Sequence, residues 1–177
     1  MGFVLILGGA RSGKSGLADR LGRESGGPVR FIATATPEDP EMEERIRRHR
    51  DTRPPHWSTV EEPVDLQAAI RAGPVSDFVI VDCLTLWVSN LLGAGRGPVE
   101  IRAMAGEAAL ELALHRGVVV TNEVGLGIVP ANELARTFRD LLGAVNALFA
   151  DRAERSVLMV AGRALELSRL DTTTLSR

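Results

Sequence analysis

The stretch LILGGARSGKS, residues 5–15, decides the fold of this chain. Residues 4–7 are an apolar run, the pattern GxxxxGKS follows at once over residues 8–15, and helix-compatible residues continue over 16–21. A strand, a glycine-rich loop and a helix in this order are typical of a phosphate-binding P-loop. Glycines let the backbone wrap around an anion, while amide groups and the N-terminus of a helix supply partial positive charge.

Lys14 is the only lysine in the sequence, and every other basic side chain is an arginine. A compact ammonium fits a phosphate cradle in a way that a planar guanidinium does not, so we interpret Lys14 as a phosphate ligand. The neighbouring Ser15 carries a hydroxyl suited to Mg²⁺. The pair predicts a nucleoside triphosphate bound with Mg²⁺.

Composition limits the class of protein. A chain of 177 residues with 45% hydrophobic residues and a formal net charge of −2 is sufficient for one domain, residues 1–177. The near-neutral charge argues against a nucleic-acid partner, and no apolar run is long enough to predict membrane insertion. Cys83 is the single cysteine and cannot form an internal disulfide, so we expect a cytoplasmic protein.

Apolar runs alternate with amphipathic stretches along the whole chain. Strands are predicted over residues 29–35, 57–60, 78–81, 118–121 and 156–160, and helices over 40–52, 64–72, 98–116 and from about 132 to 148. Asp39 is the expected N-cap of the second helix, and Gly117 the expected C-cap of the helix over 98–116. This alternation predicts an α/β fold with a mostly parallel sheet and helices on both faces. We expect residues 165–177 to be a loosely ordered tail.

Two carboxylates follow predicted strands. Asp82 ends the strand over 78–81 in the manner of a Walker B aspartate, positioned to hold Mg²⁺ opposite Ser15, although an aspartate there can also be a turn cap. Glu123 follows the strand over 118–121, where it could orient a nucleophile or be a solvated loop carboxylate.

His49 lies among five arginines, at positions 45, 47, 48, 50 and 53. Guanidinium groups around an imidazole lower its pKa and keep it nucleophilic, and they could also bind a triphosphate. The alternative is a solvated basic helix. His115 precedes Arg116-Gly117, where an imidazolium would complement the C-terminal dipole of a helix.

Three segments together resemble one enzyme family. They are GGARSGKS at residues 8–15, RIRRHRDTRPPHW at residues 45–57 and TNEVGLGIVP at residues 121–130. In this order they closely resemble the bifunctional adenosylcobinamide kinase / adenosylcobinamide-phosphate guanylyltransferase family of cobalamin synthesis, and the likeness runs to about residue 163. Three long motifs are far more specific than a P-loop alone.

The resemblance implies an enzyme with two steps. ATP or GTP phosphorylates the aminopropanol hydroxyl of adenosylcobinamide; GTP then guanylylates a histidine, which matches His49, and GMP passes to the new phosphate to give adenosylcobinamide-GDP. It also implies a RecA-like P-loop fold, a homotrimer and a guanine-nucleotide site. The implied site residues are Gly8, Gly9, Ala10, Arg11, Ser12, Gly13, Lys14, Ser15, Thr34, Ala35, Thr36, Arg50, Asp51, Thr52, Arg53, Glu61 and Asp82, with Ser15 and Asp82 at Mg²⁺, His49 and Lys14 catalytic, and Glu123 accessory.

Two other classes of protein share some of these features. A plain P-loop small-molecule kinase would need the P-loop and Asp82, but it would give no reason for His49 among arginines. A regulatory GTPase usually carries an Asn-Lys-x-Asp motif, which cannot exist here because Lys14 is the only lysine. For the large apolar corrinoid, the sequence suggests a surface over residues 84–92 or a subunit interface.

Overall fold

Strands and helices alternate along most of the chain, as the sequence predicts, except that two helices follow each other over residues 84–112 and two strands over residues 155–167. The structure is a computed structural model that describes residues 2–37 and 39–169. The strands in this part of the chain are β1 (Phe3–Gly8), β2 (Val29–Ala33), β3 (Ser58–Glu61), β4 (Phe78–Asp82), β5 (Arg116–Val120), β6 (Arg155–Val160) and β7 (Arg163–Leu167). The helices are α1 (Lys14–Glu24), α2 (Pro40–Asp51), α3 (Leu66–Arg71), α4 (Leu84–Gly93), α5 (Pro98–Leu112) and α6 (Glu133–Arg152).

The seven described strands form one sheet in the order β3-β2-β4-β5-β1-β6-β7. Strands β1 to β6 pair in parallel, and β7 is antiparallel to β6. In the middle of the sheet, Leu5 of β1 is in register with Val119 of β5 and Ser156 of β6. The carboxyl ends of β1, β4 and β5 therefore meet at one edge, where open α/β sheets bind ligands.

Two apolar clusters cover the two faces of the sheet, because each central strand sends alternate side chains to opposite sides. One cluster joins β1, β4 and β5 to the helices α3 to α6, and Phe3, Leu5, Trp87 and Phe149 are among its buried members. The other lies under α1 and includes Ile6, Phe31, Trp57 and Ile80. This confirms the predicted mostly parallel sheet with helices on both faces. In contrast, α2 buries none of its side chains.

The predicted helix over residues 98–116 is too long. Helix α5 ends at Leu112, and Arg116 and Gly117 begin β5. Gly117 is not a C-cap: a Cβ atom at this position would lie 2.4 Å from the carbonyl oxygen of Val79 on β4. The glycine is needed because two strand backbones approach closely there. His115 is buried at this position. Burial, followed by the charge of Arg30, lowers its pKa, which disfavours the imidazolium that was expected to complement a helix dipole.

Residues 84–93 form the helix α4, which the sequence reading did not predict. Leu84, Trp87, Val88 and Leu91 are all buried in the core, so this stretch does not offer an open apolar surface to a corrinoid. The first three residues of the predicted loose tail, 165–167, lie in β7, while residues 170–177 lie outside the described part of the chain. No described helix combines the length and the hydropathy that a membrane span needs.

Candidate functional site: a cleft between the P-loop and helix α2

A cleft of about 710 Å³ opens at the carboxyl edge of the sheet, between the loop after β1 and helix α2. It brings together residues from four parts of the sequence: the P-loop, α2, the end of β4 with the start of α4, and the end of β5. Its lining residues are Ala10, Arg11, Ser12, Gly13, Lys14, Ser15, Gly16, Glu41, Glu44, Arg45, Arg48, His49, Asp82, Cys83, Thr85, Leu86, Val120 and Asn122.

The P-loop backbone leaves β1 in a conformation that requires glycine. Gly8 has φ 150°, and a Cβ atom there would lie 2.4 Å from the carbonyl oxygen of Met159 on β6. Gly13 stands at the N-cap of α1, so the first amides of α1 point toward the cleft. The Ser12 hydroxyl is buried in the loop with no hydrogen-bond partner among the described residues. These are the features of an anion cradle.

The Lys14 side chain lies inside this cradle. Only 7% of Lys14 is exposed, and its Nζ donates a hydrogen bond of 2.7 Å to the carbonyl oxygen of Gly9. Burial lowers the pKa of Lys14, while the nearby Asp82 acts in the opposite direction. The loop thus holds a desolvated cation at the position where a phosphate group would bind.

Asp82 lines the cleft from the last position of β4. Thr34 fixes this strand end, because its hydroxyl donates to the carbonyl oxygen of Cys83 at 2.7 Å and accepts from the Cys83 amide at 2.8 Å. The Cys83 thiol is not a nucleophile at neutral pH, since burial and the charge of Asp82 raise its pKa to about 11. The candidate functional group at this end of β4 is therefore the Asp82 carboxylate rather than the Cys83 thiol.

The residues at the floor of the cleft fit Mg²⁺. Ser15 and Asp82 line the same cavity and supply one hydroxyl and one carboxylate. Among the described residues no group of three His, Cys, Asp or Glu side chains could hold a metal. Mg²⁺ does not need one, because it keeps several waters and binds through one or two protein oxygens plus substrate phosphates.

Helix α2 carries His49 into the cleft. The helix begins as predicted, with Asp39 at the N-cap accepting a hydrogen bond of 2.7 Å from the Met42 amide. His49 shares a half-buried face with Met42 and Ile46, and it lines the same cavity as the P-loop. The structure therefore joins the two catalytic candidates, Lys14 and His49, which are 35 positions apart in the sequence.

The arginines around His49 are not equivalent. Arg47 and Arg48 both bind Glu44, whose pKa is lowered by these hydrogen bonds, the one from Arg47 first. Arg50 pairs with Glu61 on β3. Arg45 lines the cleft and makes no hydrogen bond or ion pair with the described residues. Within the predicted cluster, Arg45 is therefore the guanidinium that is most available to a bound phosphate.

The other residues that the resemblance implies do not line the cleft. Arg53 stacks on Phe31, with its guanidinium carbon 3.7 Å from the ring centroid. The carbonyl oxygen of Thr52 accepts a hydrogen bond from Arg23 on α1. The following implied residues are also outside the lining: Gly8, Gly9, Thr34, Ala35, Thr36, Arg50, Asp51 and Glu61.

The loop after β5 contributes residues that the sequence reading did not single out. The amide of Asn122 donates to the Thr85 hydroxyl at 2.7 Å, and the Asn122 carbonyl oxygen accepts from Asn146 at 3.0 Å. Asn122 lines the cleft, whereas Glu123 does not. The Glu123 carboxylate instead accepts a hydrogen bond of 2.5 Å from the Gly125 amide. The signal for Asn122 was its place directly after a buried strand.

This fold and cleft define a P-loop nucleotide-binding protein of the RecA-like α/β class. The fold is similar to that of the P4 protein from bacteriophage phi6 in complex with ADP, with a TM-score of 0.50 and 17% identity. The similarity covers 97% of this chain and 56% of that chain and concerns the fold alone.

Sequence comparison identifies the family to which the chain belongs. Residues 4–167 match the family described as cobinamide kinase / cobinamide phosphate guanyltransferase, and the chain belongs to this family of cobalamin-biosynthesis enzymes. It is 46% identical over 169 residues to the bifunctional adenosylcobalamin biosynthesis protein CobP of Pseudomonas aeruginosa, covering 92% of this chain and 95% of that protein. It is 41% identical over 175 residues to the bifunctional adenosylcobalamin biosynthesis protein CobU of Escherichia coli, covering 90% and 96% respectively.

Proposed function

We propose that this chain phosphorylates adenosylcobinamide with ATP or GTP and then transfers GMP from GTP to the product through a guanylyl-histidine intermediate on His49. The observation that carries the proposal is that His49 and the P-loop residues Lys14 and Ser15 line one cleft with Asp82. Membership of the bifunctional family supports the same assignment. A P-loop kinase without guanylyl transfer would leave the place of His49 in this cleft unexplained.

In the first step, the acceptor hydroxyl attacks the γ-phosphorus of the nucleotide. A new O–P bond forms, the bond to the bridging β,γ-oxygen breaks, and the hydroxyl proton leaves to solvent or to a nearby base. Lys14 and the amides at the start of α1 offset the negative charge on the transferring group, which is the main contribution of a protein to phosphoryl transfer. Mg²⁺, held by Ser15 and Asp82, would neutralise charge on the phosphate oxygens.

In the second step, an imidazole nitrogen of His49 attacks the α-phosphorus of GTP. A P–N bond forms and pyrophosphate leaves. An oxygen of the adenosylcobinamide phosphate then attacks the same phosphorus, the P–N bond breaks, and His49 is regenerated. A covalent intermediate divides the transfer between two large anions into two displacements, each with its own well-placed nucleophile.

The rest of the implied site belongs to this proposal. Arg45, which is free of protein partners among the described residues, would contact the triphosphate. We assign nucleotide contacts to the residues around the cleft as well: Gly8, Gly9, Thr34, Ala35, Thr36, Arg50, Asp51, Thr52, Arg53 and Glu61. The proposal also includes a single domain, residues 1–177, an accessory role for Glu123, a cytoplasmic location and a homotrimer.

Two variants separate the two steps. Purified protein would be incubated with adenosylcobinamide, ATP, GTP and Mg²⁺, and the corrinoid products resolved by chromatography. The wild type is expected to form adenosylcobinamide-GDP, His49→Ala to stop at adenosylcobinamide phosphate, and Lys14→Met to lose both products. The matched control His56→Ala removes a nearby histidine that does not line the cleft and should give the wild-type pattern. Full conversion to adenosylcobinamide-GDP by His49→Ala would refute the guanylyl-histidine route.

A further inference from the structure

Asn122 comes shortly after the end of β5, at the edge of the sheet where the cleft opens. Strand β5 lies between β4, which ends at Asp82, and β1, which leads into the P-loop. The pairing with β1 continues past the end of β5, because the amide of Glu123 donates to the carbonyl oxygen of Gly8 at 3.2 Å. Asn122 is therefore placed between the start of the P-loop and the strand that carries Asp82.

The extended backbone directs the Asn122 side chain to the face of the sheet that α1 covers. Successive side chains of an extended segment point to opposite faces. Val120 packs in the apolar cluster under α1. The buried hydroxyl of Thr121 donates to Oδ1 of Asn146 on α6, on the opposite face, at 2.7 Å. Asn122 therefore shares the α1 face with Val120, and both residues line the cleft.

The backbone of Asn122 is held from two sides, whereas its side chain has no protein partner. Its amide donates to the hydroxyl of Thr85 at 2.7 Å, and its carbonyl oxygen accepts from Nδ2 of Asn146 at 3.0 Å. Thr85 and Asn146 are both buried. The half-buried carboxamide of Asn122 makes no hydrogen bond with any residue that the structure describes. A binding group that is preorganised for a ligand is held in this way, by hydrogen bonds around it rather than to it.

The neighbours of Asn122 identify the group that it would bind. In a P-loop the backbone amides hold the α- and β-phosphates, the lysine reaches the γ-phosphate, and a carboxylate on a neighbouring strand serves the Mg²⁺ that bridges the last two phosphates. Lys14 and Asp82 line the cleft with Asn122, and β5 separates the strands that lead to them. A γ-phosphate within reach of both would lie over the end of β5. A carboxamide offers it two N–H donors without a further charge.

We propose that the carboxamide of Asn122 donates a hydrogen bond to the γ-phosphate of the bound nucleotide and holds this group for transfer. The role in transfer rests on the proposed function, whereas the contact itself concerns nucleotide binding. ADP has no γ-phosphate, so the contact is specific to a triphosphate. Charge is redistributed over the γ-phosphate oxygens in the transition state, so a fixed donor at this place also lowers the barrier to phosphoryl transfer.

The test compares the affinities of the full chain for ADP and for the non-hydrolysable ATP analogue AMP-PNP, both with Mg²⁺, by isothermal titration calorimetry. We expect Asn122→Ala to reduce the preference for AMP-PNP over ADP by about tenfold or more, as for the loss of one hydrogen bond to a charged group, and to leave the affinity for ADP unchanged. Asn122→Asp keeps the shape of the side chain but adds a negative charge, so it should reduce the preference further. Asn132→Ala is the matched control, since it makes the same exchange at the exposed N-cap of α6, and should keep the wild-type ratio.

A kinetic measurement links the contact to transfer. Asn122→Ala should lower kcat for the phosphorylation of adenosylcobinamide by ATP by about tenfold or more, with KM for the corrinoid unchanged. The variant keeps both backbone hydrogen bonds of residue 122, so its midpoint of urea unfolding should equal that of the wild type. Asn122→Ser replaces Asn122→Ala in the same comparisons if the alanine variant does not fold.

The outcomes distinguish the inference from the proposed function. An unchanged ratio of the two affinities in Asn122→Ala would overturn the contact, and so would an equal loss of affinity for both nucleotides, which indicates a structural role only. If the wild type phosphorylates adenosylcobinamide and Asn122→Ala keeps the wild-type ratio, only this inference fails. If the wild type forms no adenosylcobinamide phosphate, the proposed function fails, and the ratio of affinities still decides whether Asn122 contacts the γ-phosphate.

Discussion

Replacing Lys14 by arginine keeps the positive charge and changes its shape, so it tests whether the P-loop selects for an ammonium. The Lys14 side chain is almost entirely buried, and its Nζ lies 2.7 Å from the carbonyl oxygen of Gly9. A guanidinium is planar and larger, so it must leave the cradle or displace the loop. In either case the charged contact with the transferring phosphate is lost or misplaced, although the net charge of the chain is unchanged.

The magnitude follows from the contact that is lost. A hydrogen bond to a charged group contributes about 1.5–3 kcal/mol. Because a factor of ten in rate corresponds to about 1.4 kcal/mol, Lys14→Arg should reduce kcat/KM for phosphoryl transfer by about 10- to 150-fold. The assay is the phosphorylation of adenosylcobinamide with labelled ATP. Arg102→Lys, the reverse exchange at an exposed position on α5, is the control and should leave the rate unchanged. A Lys14→Arg enzyme within about threefold of wild type would refute the reasoning.

Three further predictions concern stability, measured by urea denaturation. Gly117→Ala places a Cβ atom 2.4 Å from the carbonyl oxygen of Val79 and should destabilise the fold by about 3 kcal/mol, whereas Gly106→Ala, which meets open space, should not destabilise it. Asn146→Ala removes two hydrogen bonds to the loop after β5 and should lower the free energy of unfolding by about 2 kcal/mol or more; an unchanged value would contradict the role of this network. The pKa of His115 is lowered in the folded state, so below about pH 6.5 the unfolded chain binds more protons than the folded chain. The free energy of unfolding therefore decreases as the pH is lowered through this range. His115→Leu should weaken this dependence between pH 7.5 and 5.5, and a wild-type slope in the variant would exclude His115 as its source.

Local signals in the sequence were sufficient to predict structure where a residue type has one main physical role. The P-loop glycines and Asp39 before Pro40 predicted a loop, a cap and a helix start that the structure contains. The same reasoning was wrong at Gly117, because the sequence alone does not distinguish a glycine that ends a helix from a glycine that lies between two closely spaced strands. Only the approach of Val79 on a neighbouring strand distinguishes them.

Long-range pairing explains what the sequence could not provide. Residues 84–93 are apolar on most sides and therefore lack the amphipathic pattern of a surface helix, so α4 was not predicted. In the sequence the arginines near residue 49 form one basic cluster. In the structure Arg50 of this cluster pairs with Glu61, which lies on strand β3 and could not be identified as its partner from the sequence.

The candidate site shows the same limit, because the cleft joins His49 on α2 to Lys14 of the P-loop although the two residues are 35 positions apart in the sequence. The P-loop could be found from the sequence because its residues are consecutive, whereas the cleft depends on which helices pack together.

We propose that His49 carries GMP covalently. The most direct measurement is to incubate the protein with Mg²⁺ and GTP labelled at the α-phosphorus, denature it, and score label that survives alkali but is released by acid, as expected of a P–N bond. We expect such label on the wild type and none on His49→Ala. Absence of label on both proteins, or equal label on both, would contradict it.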